Sequence, residues 1–306
     1  MTPPPPPPPR TPEPRSAVVT GSSGGVGLAV AQALARSGWR VLVHGRDSEK
    51  LARARASLGP DGGHGLVRAD LSNSDGTLRL ASAVRAWSGR LDVLVHNAGL
   101  LVPTLRLTDD DIETTLAVNA LAPFVLTNAL RPLLEATVRD HGGARVVTVT
   151  SEAHRGGRIP TTDPDALADV LRRPPGRYLS IRAYAQSKIV ATAWTIELAR
   201  RLEGTGVTAN ACHPGLVRTG VSSGFGPLLG PVLSLFSPLY LPPAVGAQSP
   251  LLLATAPQYG ERTGRFVTRS HLRGPHEARP PAQARDPAVG AAVWDALGRL
   301  AESSSP

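Results

Sequence analysis

Ser16-Ala17-Val18-Val19-Thr20-Gly21-Ser22-Ser23-Gly24-Gly25-Val26-Gly27 joins a short β-branched run, 17–20, to a helical pattern at 26–36. Gly21 permits a tight turn between them. Gly25 lets the backbone approach a pyrophosphate, and Gly27 lets helix and strand pack closely. A helix that starts in such a turn offers free N–H groups and the positive end of its dipole to an anion. The spacing is G-x-x-x-G-x-G, not the G-x-G-x-x-G of the common dinucleotide fingerprint. Its place between a first strand and a first helix makes Thr20, Gly21, Ser22, Ser23, Gly25, Val26 and Gly27 the candidate phosphate cradle.

Outward from this turn the chain alternates apolar runs with amphipathic stretches. Further runs stand at 40–43, 65–69, 91–96, 145–150 and 207–212. Helical patterns stand at 48–57, 73–87, 108–139 and 180–203. The alternation predicts an α/β fold with a single doubly wound parallel sheet of Rossmann type and helices on both faces. The runs are continuously apolar, as strands covered on both faces must be. Residues 277–284 are polar and Pro-rich and predict a loop, and 287–300 predict a terminal helix. A doubly wound sheet binds ligands at the carboxyl ends of its strands, so chemistry is sought just after each run.

The second run ends in His44-Gly45-Arg46-Asp47. An acid there would hold a ribose 2′-hydroxyl, whereas Arg46 suits a 2′-phosphate and favours NADP(H) over NAD(H). Asp47 reads as a helix cap. Asp70-Leu71 follows the third run, where an acid accepts a hydrogen bond from an adenine amino group. Asn97-Ala98-Gly99 follows the fourth as a small polar turn against which a dinucleotide can lie. Tyr184 and Lys188 lie four apart on one helical face. Holding a free tyrosine as phenolate at neutral pH costs about 4 kcal/mol, which a nearby ammonium reduces. A phenol tuned in this way exchanges a proton with a carbonyl or alcohol oxygen beside a hydride carrier. Ser151, ending the fifth run, is placed to donate to that oxygen. Asn119 sits within a helical pattern that disfavours it, which suits either a polar interior role, such as holding a water behind Lys188, or a solvent-facing side chain.

Taken in order, T-G-x-x-x-G-x-G, Asn97-Ala98-Gly99, Asn119, Ser151, Tyr184-x-x-x-Lys188 and Pro214-Gly215 resemble the short-chain dehydrogenase/reductase family over about residues 15–268. The resemblance implies that Asn119, Ser151, Tyr184 and Lys188 form a catalytic tetrad and that Lys188 also binds the nicotinamide ribose. It places Pro214, Gly215, Val217 and Thr219 beside the nicotinamide. The segments Ser151-Glu152-Ala153-His154-Arg155-Gly156 and 197–208 are similar to the retinol dehydrogenase-like branch, which includes relatives of protochlorophyllide reductase. Thr150 stands where that branch has the first of two serines.

The expected function is therefore NADP(H)-dependent interconversion of an apolar carbonyl compound and its alcohol. Two alternatives stay open: reduction of a C=C bond on the same fold, and a nucleotide-binding regulator or scaffold without turnover. The net charge is +9, but the arginines are scattered and lysine occurs only at 50 and 188, so no nucleic-acid partner is expected. A single cysteine, Cys212, allows no intramolecular disulfide and fits a reducing, cytoplasmic setting. No metal site is expected, and the family resemblance allows a homodimer or homotetramer. Residues 1–14, with prolines at every position from 3 to 9, read as a disordered tail without an apolar signal core, ahead of one domain at 15–306. Residues 219–260 carry no charged side chain or histidine and are cut by prolines at 227, 231, 238, 242 and 243. They read as a substrate lid walling an apolar pocket rather than as a transmembrane segment.

Overall fold

Residues 13–60, 62–217, 240–270 and 272–303 are described by a computed structural model of the chain. Strands β1 (Ser16–Val19), β2 (Arg40–Gly45), β3 (Gly65–Arg68), β4 (Val93–His96), β5 (Ala144–Val149) and β6 (Val207–Cys212) appear where the apolar runs predicted them. Two more follow, β7 (Phe266–Thr268) and β8 (His276–Glu277). One sheet takes them in the order β3-β2-β1-β4-β5-β6-β7-β8. All neighbours run parallel except β7 and β8. The chain reverses its direction of travel across the sheet between β1 and β4, and the crevice beyond their carboxyl ends is where such sheets take ligands.

Alternate residues of each strand feed two cores. Val18, Leu42, Leu94 and Val146 point to one face, and Ala17, Val19, Val43 and Val95 to the other. The first face is covered by α3 (Ser74–Trp87), α4 (Thr114–His141), α6 (Ser180–Arg201) and α8 (Pro287–Glu302), with α5 (Pro164–Arg172) packed on α8. The second is covered by α1 (Gly25–Arg36), α2 (Ser48–Ala56) and α7 (Gln248–Thr255). In α8 the buried Val289, Val293, Ala296, Leu297 and Leu300 recur at helical spacing, which is why this helix docks by one stripe. By length and composition α4 could cross a membrane, but 67% of its apolar window is buried inside the fold, as in a core helix.

Three expectations change. The helix expected from residue 108 begins at Thr114, because Asp111 takes a left-handed backbone (φ 57°) and Glu113 caps the helix by accepting from the N–H groups of Thr115 and Leu116. The loop expected at 277–284 instead includes the end of β8 and a helical turn, Ala282–Arg285. The last part of the expected lid is core cover: Ala247, Leu253, Ala254 and Tyr259 are buried in the second core. The earlier part, 219–239, lies outside the described residues.

Candidate active site

The turn after β1 is shaped by close approaches. Gly21 and Gly25 both have positive φ, 63° and 57°. A Cβ on Gly27 would stand 2.3 Å from Asn97 Nδ2 and 2.6 Å from the Gly21 carbonyl oxygen. That bare position lets the Asn97 amide donate to the carbonyls of Thr20 (3.0 Å) and Gly21 (3.1 Å). Thr20 Oγ1 accepts from the N–H groups of Asn97 and Ala98, each at 3.0 Å. Ser22 Oγ donates to the Val19 carbonyl (2.7 Å) and accepts from the His44 N–H (2.9 Å). Thr20, Ser22 and Gly27 therefore support the cradle from behind and do not line the cleft itself. Gly21, Ser23, Gly25 and Val26 face a cleft of about 510 Å³. The N-terminus of α1 opens there with no side-chain cap and no acid in its first turn, leaving its donors for an anion.

His44 is a residue whose role the sequence reading missed. Its Nδ1 accepts from the Gly21 N–H (3.1 Å), and its Nε2 faces the Ala69 carbonyl (3.1 Å). This pattern assigns the proton to Nε2. Burial brings its pKa down to about 4, so the ring is neutral at physiological pH and ties the glycine turn to the end of β3. Only the proximity of His44 to the end of β2 was visible beforehand.

At the same end of the cleft Arg46 lies 3.8 Å from Asp70, with both side chains largely exposed. Asp70 also accepts from the Ser72 N–H (2.9 Å), and Leu71 lines the wall beside it. Asp47 caps α2 by accepting from the Lys50 N–H (3.0 Å), as its position predicted. Asn97, Ala98 and Gly99 form the middle of the wall.

At the far end the four expected catalytic residues come together. Tyr184 and Lys188 project from α6 into the cleft, with Lys188 Nζ 5.6 Å from the centre of the Tyr184 ring. Burial raises the Tyr184 pKa, and the neighbouring Ser151 hydroxyl opposes that rise. The expected acidifying partner, Lys188, stands close by, and the Ser151 hydroxyl also acts on the phenol. Lys188 is itself buried, donates to the Val149 carbonyl (3.2 Å), and is brought down to about 8 by burial. Thr150 secures the helix at this point through its hydroxyl and the Lys188 carbonyl (3.1 Å).

Asn119 stands in a π-helical turn, Ala117–Leu121, within α4. Such turns widen a helix and often mark functional positions. Its Oδ1 accepts from the Leu100 N–H (2.8 Å), and its Nδ2 donates to the Leu100 carbonyl (2.9 Å) and to Ser187 Oγ (3.0 Å). Both amide protons are thus spent on protein, so Asn119 fixes the 97–100 turn against α6; only its oxygen has capacity left for a water. Ser187, absent from the sequence reading, completes this link by donating to the Tyr184 carbonyl (2.8 Å). Pro214 lines the cleft. Gly215 packs instead toward Leu241 and Arg269, and Val217 is buried and bridged to Leu241. Neither stands in the cleft wall, and Thr219 lies outside the described residues.

An elongated cleft with backbone donors at its middle, an arginine at one end and a half-buried Tyr and Ser beside a buried Lys at the other fits a nicotinamide dinucleotide. Comparison with known proteins agrees. Residues 15–161 match the family model for short chain dehydrogenase. The chain is 36% identical over 295 residues to dehydrogenase/reductase SDR family member 13 of Bos taurus, covering 94% of this chain and 73% of that protein. It is 30% identical to retinol dehydrogenase 13 of Homo sapiens, covering 95% and 86%. Among solved structures it is similar to the Pseudomonas aeruginosa RhlG/NADP active-site complex, with TM-score 0.65, 26% identity and coverage of 84% and 94%.

Proposed function

The chain belongs to the short-chain dehydrogenase/reductase family, retinol dehydrogenase-like branch, and is an oxidoreductase of alcohols and carbonyls that uses a nicotinamide cofactor; on that premise we propose that it uses NADP(H) and acts on an apolar substrate, with Tyr184 as proton donor. When bound, the nicotinamide supplies or accepts the hydride. Gly21, Ser23, Gly25 and Val26 would hold the pyrophosphate, Arg46 a 2′-phosphate, and Lys188 the nicotinamide ribose.

The observation that carries the reading is that Tyr184 and Lys188 stand together at the end of the cleft, with the Lys188 ammonium 5.6 Å from the centre of the phenol ring and Ser151 acting on the same hydroxyl. A substrate oxygen seated between the two hydroxyls meets a proton donor and a positioning donor at once. Because burial keeps the phenol above its ordinary value of 10, Tyr184 holds its proton at neutral pH. That resting state serves carbonyl reduction, in which the tyrosine gives the proton. The apolar preference is supported by Leu100, Val118 and Val149 in the cleft wall and by a relative named for retinol.

The test is a panel of ketones and aldehydes with NADPH or NADH, followed by product analysis. The expected result is reduction of apolar carbonyls to alcohols with NADPH preferred. Saturated ketones formed from enones would point to C=C reduction, and preference for small polar substrates would overturn the apolar assignment.

A further inference from the structure

Beside the adenosine end of the cleft lies a second pocket of about 340 Å³, lined by Arg46, Arg68, Ala69, Asp70 and Arg79. It shares Arg46 and Asp70 with the main cleft. Three cations near it are already matched: Arg46 with Asp70 at 3.8 Å, Lys50 with Asp47 at 3.6 Å, and Arg79 with Asp75 at 4.0 Å. Arg68 has no carboxylate within ion-pair distance among the described residues. It sits at the end of β3, directly across from Gly45 on β2, and its Nε donates to the Arg46 carbonyl at 3.0 Å. That bond fixes the root of the guanidinium beside Arg46 and leaves its terminal nitrogens without a partner among the described residues.

We propose that Arg68 is a second specificity residue for the cofactor, closing with Arg46 on the 2′-phosphate of NADP(H). This rests on the proposed preference for NADP(H) and assigns a residue on β3 to it. A phosphate carries charge and acceptors enough for two guanidinium forks. Arg46 alone brings no net positive charge to this spot, because the Asp70 carboxylate lies 3.8 Å from it. Their contact is long and solvent-exposed, so it costs little to give up. Arg68 brings an unneutralised charge to the same spot and restores the balance that Asp70 removes.

The experiment is equilibrium titration of NADPH and NADH with the intact chain and its Arg46→Ala, Arg68→Ala and Arg68→Lys variants. Adenosine 2′,5′-bisphosphate and AMP serve as competing probes for this end of the cleft alone. Arg68→Ala should weaken NADPH and the bisphosphate about tenfold, equal to about 1.4 kcal/mol, and leave NADH and AMP nearly unchanged. Arg68→Lys should recover part of the loss, and added salt should shrink the effect. Retained NADH binding shows that the variant is folded. If the unaltered chain prefers NADPH and Arg68→Ala keeps that preference, this inference is overturned while the NADP(H) reading stands. If the unaltered chain binds NADH as tightly as NADPH, both fall.

Discussion

Lys188 shows how burial and charge oppose each other at single residues. Its ammonium is stable only below about pH 8, against an ordinary 10.5, because burial disfavours the ion. The unfolded chain therefore holds the extra proton between those values, and the contribution of this group to stability rises with pH across that window. Its contribution to cofactor binding runs the other way, since only the charged form donates fully to ribose hydroxyls. kcat/KM for NADPH is thus expected to fall as pH rises past about 8, while the denaturation midpoint does not fall with it. A profile flat to pH 10 would show that the charge on Lys188 is not needed. The Tyr184–Lys188 pair was legible in the sequence because i and i+4 share a helical face. The part of Ser151 was not: it is 33 positions from Tyr184 in the chain, and only the fold brings its hydroxyl to bear on the phenol. His44 was hidden for a related reason. A histidine at a strand end says nothing of the Gly21 amide and Ala69 carbonyl that hold its ring.

Among the elements, the β1–turn–α1 unit was read correctly as a cradle, but its glycines were given only part of their reason. Gly27 was expected to serve helix–strand packing. In the fold it leaves room for the Asn97 side chain, which clips the glycine turn to the turn after β4. Gly27→Ala should force these apart, at about 1–3 kcal/mol for overpacking. The denaturant midpoint should drop and NADPH affinity should fall with it, since the displaced turn is the cradle itself. Unchanged affinity in that variant would mean that Asn97 and Gly27 are not coupled. Strands β1, β2, β4, β5 and β6 were legible because burial on both faces demands unbroken apolar runs, whereas β3, at the sheet edge with Leu66 exposed, was legible only from its place in the βα alternation. β7 and β8 were not, being three and two residues long. Helix α5 did carry a signal, Asp163-Pro164 before apolar Leu167, Ala168 and Leu171, which is a cap followed by a helical stripe.

At the scale of the molecule, the two ends of the cleft are built by different halves of the sheet. β1, β2 and β3 bring the glycine turn, Arg46 and Asp70; β4, β5 and the helices beyond them bring Asn97, Ser151, Asn119, Tyr184 and Lys188. The reversal between β1 and β4 lays these sets end to end, which is why chemistry spread over about 170 residues reads as one site. Residues 243–260 misled the sequence reading for a whole-molecule reason. A charge-free, Pro-cut stretch suits a pocket wall and a core cover equally, and only tertiary contact decides between them. The account as a whole rests on Tyr184 donating the proton in a site that holds its cofactor independently of that hydroxyl. Tyr184→Phe removes one oxygen atom and little else. The most direct measurement is NADPH affinity and steady-state carbonyl reduction by this variant, side by side with the unaltered chain. The account requires NADPH to bind within a few-fold of normal and turnover to disappear; carbonyl reduction at a near-normal rate by Tyr184→Phe would contradict it.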